Sequence, residues 1–279
     1  MDRAYVLHSY PYRETSLILQ VWTEKHGRIG LVAKGARRPR SAHRSILVPF
    51  QPLALDWFGR GELRTLKSAE PSAPATPLAG QSLMSAFYLN ELLLKLTHRD
   101  DPHEGLFEAY DAAITELRRI SRANTGDRPL VPPRGTSGLS PVAPVASEPA
   151  ATRDLESALR RFELRMLQEL GYAVELAREA ATGEPIDARR DYWYVVERGP
   201  VRAEGEGAPP NAVRLRGITL IDLERGRYED AATVAQAKQL MRLLINHSLN
   251  GQELATRALV RDLMTLAPDP SPKGEGEIP

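Results

Sequence analysis

The 279-residue chain contains no cysteine, and this absence excludes several kinds of chemistry at once. Disulfide bonds, thiolate nucleophiles and cysteine-ligated zinc are all ruled out. No apolar run approaches the roughly 18 to 20 residues that a membrane-spanning helix needs. The first residues also lack the basic and then apolar order of a signal peptide. We therefore expect a soluble, cytoplasmic protein that has no membrane partner.

The sequence also lacks the short motifs that mark common catalytic sites. It has no Gly-x-Ser-x-Gly elbow, no Gly-x-x-x-x-Gly-Lys phosphate loop, no dinucleotide-binding glycine pattern and no His-Glu-x-x-His pair. A catalytic triad dispersed along the chain would leave no such pattern. In the absence of any positive signal, we predict that the protein is not an enzyme and needs no cofactor. The catalytic alternative to be tested is a nuclease.

Positive charge is concentrated near the start of the chain, although the formal net charge is only +1. Residues 1–80 hold 12 Lys and Arg against 6 Asp and Glu, whereas the remainder holds 25 against 30. From Lys25 to Arg44 there are seven basic residues and no acidic one. A charged run of this kind is often only a solvated face. Here no acids interleave to form ion pairs, which favours a polyanion as the partner.

Five short segments in the first 70 residues are rich in β-branched and aromatic residues and are bounded by turn residues, so they are predicted to be strands. They cover residues 4–10, 15–23, 28–34, 53–58 and 62–68, and the longest connection joins the third to the fourth. This spacing suits the five-stranded OB-fold, a barrel that commonly binds oligonucleotides. A β-meander or an SH3-like barrel fits the pattern almost as well.

Aromatic side chains beside a cationic groove are typical of proteins that bind single strands without sequence preference, because every base can stack on them. The aromatic residues around the basic run are Tyr5, Tyr10, Tyr12, Trp22, Phe50, Trp57 and Phe58. Several of these must belong to the core, and the sequence does not distinguish which. The basic residues predicted to contact phosphates are Arg28, Lys34, Arg37, Arg38, Arg40, Arg44 and Lys67.

Beyond residue 80 the spacing of apolar residues changes from that of strands to that of helices. Helices are predicted at about 83–96, from an Asp101 N-cap to beyond Leu117, from Leu155 to Leu170, and at about 232–249 and 252–266. The fold class is therefore α+β, an N-terminal five-stranded OB-fold barrel followed by a mostly α-helical domain.

The predicted domains are residues 1–80 and 81–267, followed by a tail at 268–279. Residues 121–152 are rich in Pro, Gly, Ser and Ala and are predicted to be a flexible insert in the helical domain. Residues 180–230 are predicted to be irregular, with a short hairpin around Tyr192 to Val196.

Two polar clusters in the helical domain have competing interpretations. Helix capping accounts for Asp101 and Glu104, and no partner with zinc spacing occurs elsewhere, so no metal site is predicted. The other members of this first cluster are His98, Asp100 and His103. The second cluster, Arg160-Arg161-Phe162-Glu163, is either a solvated helix edge or the border of an apolar groove that binds an acidic peptide.

Several motifs together resemble the bacterial RecO family of DNA repair proteins. The resemblance covers most of residues 3–195 and the closing helices. The motifs are Tyr5-Val-Leu-His, Glu14-Thr-Ser-Leu, Gly27-Arg, Leu31-Val-Ala-Lys-Gly-Ala-Arg, Gly61-Glu-Leu-Arg-Thr-Leu-Lys-Ser-Ala-Glu, Tyr88-Leu-Asn-Glu-Leu-Leu and Leu159-Arg-Arg-Phe-Glu-Leu-Arg-Met-Leu, with Leu170-Gly-Tyr.

The resemblance implies an OB-fold and a helical domain that bind single- and double-stranded DNA and anneal complementary strands. It also implies action with RecR to help RecA load onto strands coated by single-stranded DNA-binding protein (SSB). The acidic SSB tail would bind the helical domain, with Arg160 facing its carboxylate and Arg161 as a weaker candidate. A rival interpretation is an interaction adaptor whose basic barrel mainly contacts protein partners.

One departure from the family concerns zinc. Some RecO proteins carry a four-cysteine zinc module after the Leu-Gly-Tyr motif, whereas this chain has Glu175 to Pro185 there without cysteine. We therefore predict no structural zinc.

Overall fold

Five strands at the start of the chain form a closed barrel. The computed structural model describes residues 1–74, 76–125, 148–204 and 207–258. The strands are β1 (Asp2–Tyr12), β2 (Ser16–Thr23), β3 (Gly27–Ala33), β4 (Leu53–Phe58) and β5 (Leu63–Pro71), and their order around the barrel is β1-β2-β3-β5-β4. β3 and β5 run parallel, whereas the other neighbours are antiparallel. The predicted OB-type barrel is confirmed.

Alternation along the strands buries the barrel wall on both sides. Successive side chains of a strand point to opposite faces, so Ala4 and Val6 of β1 pack inside the barrel. Tyr5 and Leu7 point outward instead and join Trp22 of β2 in a second core with the helices. The tyrosine and tryptophan are thus structural residues at the junction between barrel and helices.

The helical part begins with α2 (Gly80–Leu96), α3 (Glu104–Thr125) and α4 (Glu148–Glu169). The predicted helices at 83–96 and from Leu155 correspond to α2 and α4. The predicted Asp101 N-cap is wrong, because the first helical bond of α3 runs from Phe107 N to His103 O at 2.9 Å. The Asp101 carboxylate lies 3.2 Å from the His103 ring instead.

The predicted insert at 121–152 is too long at both ends. α3 continues to Thr125 and α4 already begins at Glu148, and Ser121 and Ala151 near these ends are buried. Residues 126–147 lie outside the described residues, as does the predicted tail at 268–279.

A three-stranded antiparallel sheet lies in the region that was predicted to be irregular. It contains β6 (Asp191–Val195), β7 (Gly199–Arg202) and β8 (Ala212–Arg216), in the order β7-β6-β8. β6 and β7 form the predicted hairpin, whereas β8 and the following α5 (Gly217–Glu224) were not predicted. α6 (Ala231–Ser248) matches the predicted helix at 232–249. Of the helix predicted at 252–266, residues 252–254 are not helical, residues 255–258 are helical, and residues 259–266 lie outside the described residues.

Polar contacts fix the barrel against α2 and α3. Asn90 of α2 donates to Leu7 O (2.8 Å), and its Oδ1 accepts from the Tyr110 hydroxyl (2.5 Å). Gly27 has a φ of +64°, and a Cβ there would lie 2.0 Å from Asp101 O. Only glycine therefore allows the α2–α3 connection to approach β3 this closely.

None of the helices in the described residues has the length and apolar character that a membrane span requires.

Candidate functional site

The connection from β3 to β4, residues 34–52, carries most of the predicted phosphate contacts. Ala36 and Leu47 are buried in the barrel core, and the short helix α1 (His43–Ile46) lies between these two residues along the chain. These apolar anchors hold the connection against the barrel while its basic side chains face solvent. The exposed basic side chains, called here the basic loop, are Lys34, Arg37, Arg38, Arg40 and Arg44.

None of the five basic-loop side chains forms an ion pair with a carboxylate in the described part of the chain, whereas many other arginines do, as Arg119 and Arg216 show. Arg37 instead approaches two carbonyl oxygens of the β1–β2 turn, Arg13 O at 3.5 Å and Glu14 O at 3.4 Å. Its backbone N also donates to Thr15 O (2.9 Å). The basic loop therefore presents uncompensated charge beside this turn.

Arg28 lies away from the basic loop. It is at the start of β3, about 20 Å from Lys34 at a strand rise of about 3.3 Å per residue. Its guanidinium is half-buried and donates to Thr97 O at 2.8 Å, with Gln20 Oε1 at 3.4 Å. Burial, and then the charge of Arg99, lower the pKa of Arg28. This geometry is that of a junction residue and adds no support to the predicted DNA contact.

Lys67 lies outside the β3–β4 connection. It lies on β5 at a β-bulge, where the register shifts between Asp56 and Trp57 of the partner strand. The Lys67 ammonium forms an ion pair with the Asp56 carboxylate at 2.8 Å. Because this ion pair partly compensates the charge of Lys67, the structure adds no support to the prediction that Lys67 contacts DNA.

Register across the barrel places two of the predicted aromatic residues in one row, whereas Tyr12 and Trp57 are partly buried. Tyr10 pairs with Ile18, Ile18 with Val32, Val32 with Thr65, and Thr65 with Phe58. Paired residues share a face of the sheet, so these five residues form one row on the outside of the barrel, called the outer row. Tyr10 and Phe58 at its two ends are 48% and 56% exposed. Tyr5, Trp22 and Phe50 are buried. The outer row crosses all five strands, so no single strand reveals it.

A second cationic surface lies in the helical part. A cavity of about 450 Å³ opens between α2, α4, α6 and the segment after α6. Four basic residues line this cationic pocket, and only the first was predicted as a site residue: Arg160, Lys238, Arg242 and Arg257. Lys238 and Arg242 are four residues apart and so lie on one face of α6, but nothing in the sequence links that face to α4.

Arg160 lies in the buried wall of the cationic pocket. It is only 7% exposed, and its Nη2 lies 2.9 Å from Glu163 Oε1, which also accepts from the Tyr88 hydroxyl (2.7 Å). Burial raises the pKa of the Glu163 carboxyl, opposed mainly by the Arg160 charge. Arg160 Nε has no hydrogen-bond partner among the described residues. The side chain nevertheless lines the pocket, and a charged guanidinium there is suited to bind an anion.

Arg161 points elsewhere, although it follows Arg160 directly. Its guanidinium lies 5.3 Å from the centre of the Tyr228 ring. It also borders a different, mostly apolar cavity of about 430 Å³ between α3 and α4. The structure therefore does not bring Arg161 to the cationic pocket, because adjacent helical residues are about 100° apart around the axis.

The segment after the Leu-Gly-Tyr motif is held by polar side chains. The buried Glu179 carboxylate lies 3.0 Å from Arg202 Nε of β7 and accepts from the Thr182 hydroxyl (2.8 Å). Within the described ranges, no group of three or more metal-capable side chains comes together. In the predicted cluster before α3, Asp100 forms an ion pair with Arg64.

These features define a class of protein in which an OB-type barrel with a basic loop is joined to a helical part with a cationic pocket. Two family models match the chain: "Recombination protein O N terminal" over residues 1–75 and "Recombination protein O C terminal" over residues 149–258. The first covers the barrel, and the second begins in α4 and includes Arg160 and Arg257.

Curated relatives agree with the family models over nearly the full chain. DNA repair protein RecO of Azoarcus sp. is 44% identical over 265 residues, which are 94% of this chain and 96% of the relative. DNA repair protein RecO of Aromatoleum aromaticum is also 44% identical, over 94% and 95% of the two chains. The corresponding protein of Nitrosospira multiformis is 43% identical over 94% and 95%. The chain belongs to the RecO family of DNA repair and recombination proteins.

Proposed function

We propose that the protein is a recombination mediator that binds single- and double-stranded DNA and anneals complementary strands. With RecR, it helps RecA load onto single strands coated by SSB. The observation that carries the proposal is the basic loop, five exposed cations without a described ion-pair partner, beside the outer row with its exposed Tyr10 and Phe58.

The proposed mechanism is electrostatic and involves no covalent step, nucleotide hydrolysis or cofactor. Lys34, Arg37, Arg38, Arg40 and Arg44 neutralise phosphates and release their counterions. Two complementary strands can then approach each other with less repulsion. Exposed aromatics of the outer row stack on bases of the first strand. The expected cytoplasmic location gives access to the chromosome.

The cationic pocket is proposed to bind the SSB tail, which is acidic and ends in apolar residues. Arg160 would pair with its carboxylate from the buried wall, and Arg257, which lies over the Tyr88 ring, lines the same pocket. Arg242, exposed on α6, would meet the acidic side chains of the tail. Because the pocket is built from other elements than the basic loop, tail and DNA are expected to bind together.

The test is fluorescence anisotropy of a labelled single-stranded oligonucleotide, titrated with protein across a salt series with and without unlabelled SSB-tail peptide. If about four to six phosphates are neutralised, the log–log salt slope is about −3 to −5. Binding that is steep in salt and survives the peptide supports two separate sites. No binding at low salt would favour the adaptor, in which the basic loop contacts a protein. Incubating DNA with divalent metal tests for nuclease activity.

A further inference from the structure

The segment that follows α6 forms one wall of the cationic pocket. It contributes Glu253, Leu254 and Arg257 to the lining, and Leu254 is buried in the helical core. Arg257 donates to Asn246 Oδ1 at 2.8 Å, and its guanidinium lies 5.7 Å from the centre of the Tyr88 ring. One of the four pocket cations therefore depends on a short segment rather than on a long helix.

A carboxylate on α2 accepts three hydrogen bonds from this segment. Glu91 Oε1 accepts from Ala255 N at 2.7 Å, and Glu91 Oε2 accepts from Thr256 N at 2.9 Å and from the Thr256 hydroxyl at 2.7 Å. One turn later on α2, Lys95 donates to Glu253 O at 2.8 Å. Hydrogen bonds to a charged acceptor are stronger than neutral ones, and the Glu91 side chain is only 13% exposed.

The two amides that Glu91 accepts from belong to the first turn of the helical residues 255–258. Such amides have no partner within their own helix, so Glu91 acts as their cap from a neighbouring helix. Without this cap, the segment gains conformational freedom that a pocket ligand would have to remove on binding.

We infer that Glu91 is a positioning residue for the cationic pocket: it holds residues 253–257 against α2 and thereby fixes Arg257 beside Tyr88. The inference rests on the proposed function of the pocket as a site for an acidic peptide. It adds that affinity for the peptide is coupled to the docking of this wall.

The experiment is a double-mutant cycle in the full chain. The probe is a fluorescein-labelled peptide of about ten residues, acidic and with two apolar residues before a free carboxyl end. Glu91→Gln is expected to weaken binding about 5- to 10-fold, the low end of coupling between linked sites. In an Arg257→Ala background, the same change is expected to cost less than about 2-fold, because the cation that Glu91 positions is already gone. Glu169→Gln, which removes a charge paired with Arg165 on α4, is the matched control and leaves affinity unchanged.

The outcomes separate the positioning role from the pocket itself. Equal losses from Glu91→Gln with and without Arg257 would overturn the positioning role, as would wild-type affinity of the single variant. Arg160→Ala is measured alongside: if it keeps wild-type affinity, the proposed function of the pocket fails instead. DNA affinity of Glu91→Gln equal to that of the wild type shows that the barrel remains folded.

Discussion

Arg160 and Glu163 form an ion pair in the wall of the cationic pocket, 2.9 Å apart and one turn apart on α4. The carboxylate is completely buried and is shared with the Tyr88 hydroxyl. The arginine therefore has two roles, since it neutralises a buried acid and lines the pocket. A test of peptide binding must separate these two roles.

Arg160→Ala is expected to abolish peptide binding and to lower the free energy of unfolding by about 3 kcal/mol, because it removes the ion-pair partner of the buried Glu163. Adding Glu163→Gln removes the uncompensated charge and should restore much of the stability but none of the peptide binding. Urea denaturation and peptide anisotropy measure the two properties. Recovery of peptide binding in the double variant would show that Arg160 acts only through the fold.

Substitutions in the outer row are expected to separate the contribution of base stacking to DNA affinity from the contribution of charge. Tyr10→Ala and Phe58→Ala should each weaken single-strand binding by about 1 to 3 kcal/mol, the range for loss of one stacked base. The salt slope should not change, because no cation is removed. Phe87→Ala is the control, since Phe87 is also exposed, at 39%, but lies on α2 outside the row. Equal effects of all three changes would count against a stacking surface.

The barrel could be predicted from the sequence because local composition and flanking turn residues indicate each strand. The outer row could not be predicted in this way, because Tyr10 and Phe58 are 48 residues apart in the chain. They belong to one row only through the register of five strands. The same limit applies to Arg28 and Lys67: charge composition placed them with the basic loop. Their contacts with Thr97 and Asp56 exist only in the folded chain.

The cationic pocket was likewise predictable from the sequence only in part. Arg160 was predicted through a family motif, which marks a position without revealing its surroundings. Arg242 and Arg257 lie 82 and 97 residues further along the chain, and they reach Arg160 only because α6 packs against α4 and the following segment returns to α2. Helix geometry alone separates Arg160 from Arg161, but it does not say which of the two faces the pocket.

The hydrogen bonds of Glu91 are expected to make the stability of the protein depend on pH. Burial raises the pKa of Glu91, but the hydrogen bonds from Thr256 and Ala255 and the charge of Lys95 together outweigh it and lower the pKa below its ordinary value of 4.5. Its stabilising contribution is therefore fully present above about pH 4.5 and is lost as the pH falls through the lowered pKa. The difference in unfolding free energy between wild type and Glu91→Gln should be on the order of 1 kcal/mol at pH 7 and smaller at pH 3.5. A difference that grows on acidification would contradict the assigned hydrogen bonds.

The basic loop makes the most direct prediction about DNA. Replacing Arg37, Arg38 and Arg40 together with Ala should weaken binding to all sequences alike and make the salt slope shallower by up to about 3, since each phosphate contact contributes about −0.9 for duplex and −0.7 for single strands. Lys67→Ala is the matched control, because its charge is already paired with Asp56 on the same barrel, and it should leave the slope nearly unchanged. Anisotropy titrations between 50 and 200 mM salt on single- and double-stranded oligonucleotides measure both. An unchanged slope in the triple variant would exclude the basic loop as the DNA-binding surface, whereas a lost slope with intact peptide binding would place DNA and peptide on separate parts of the chain.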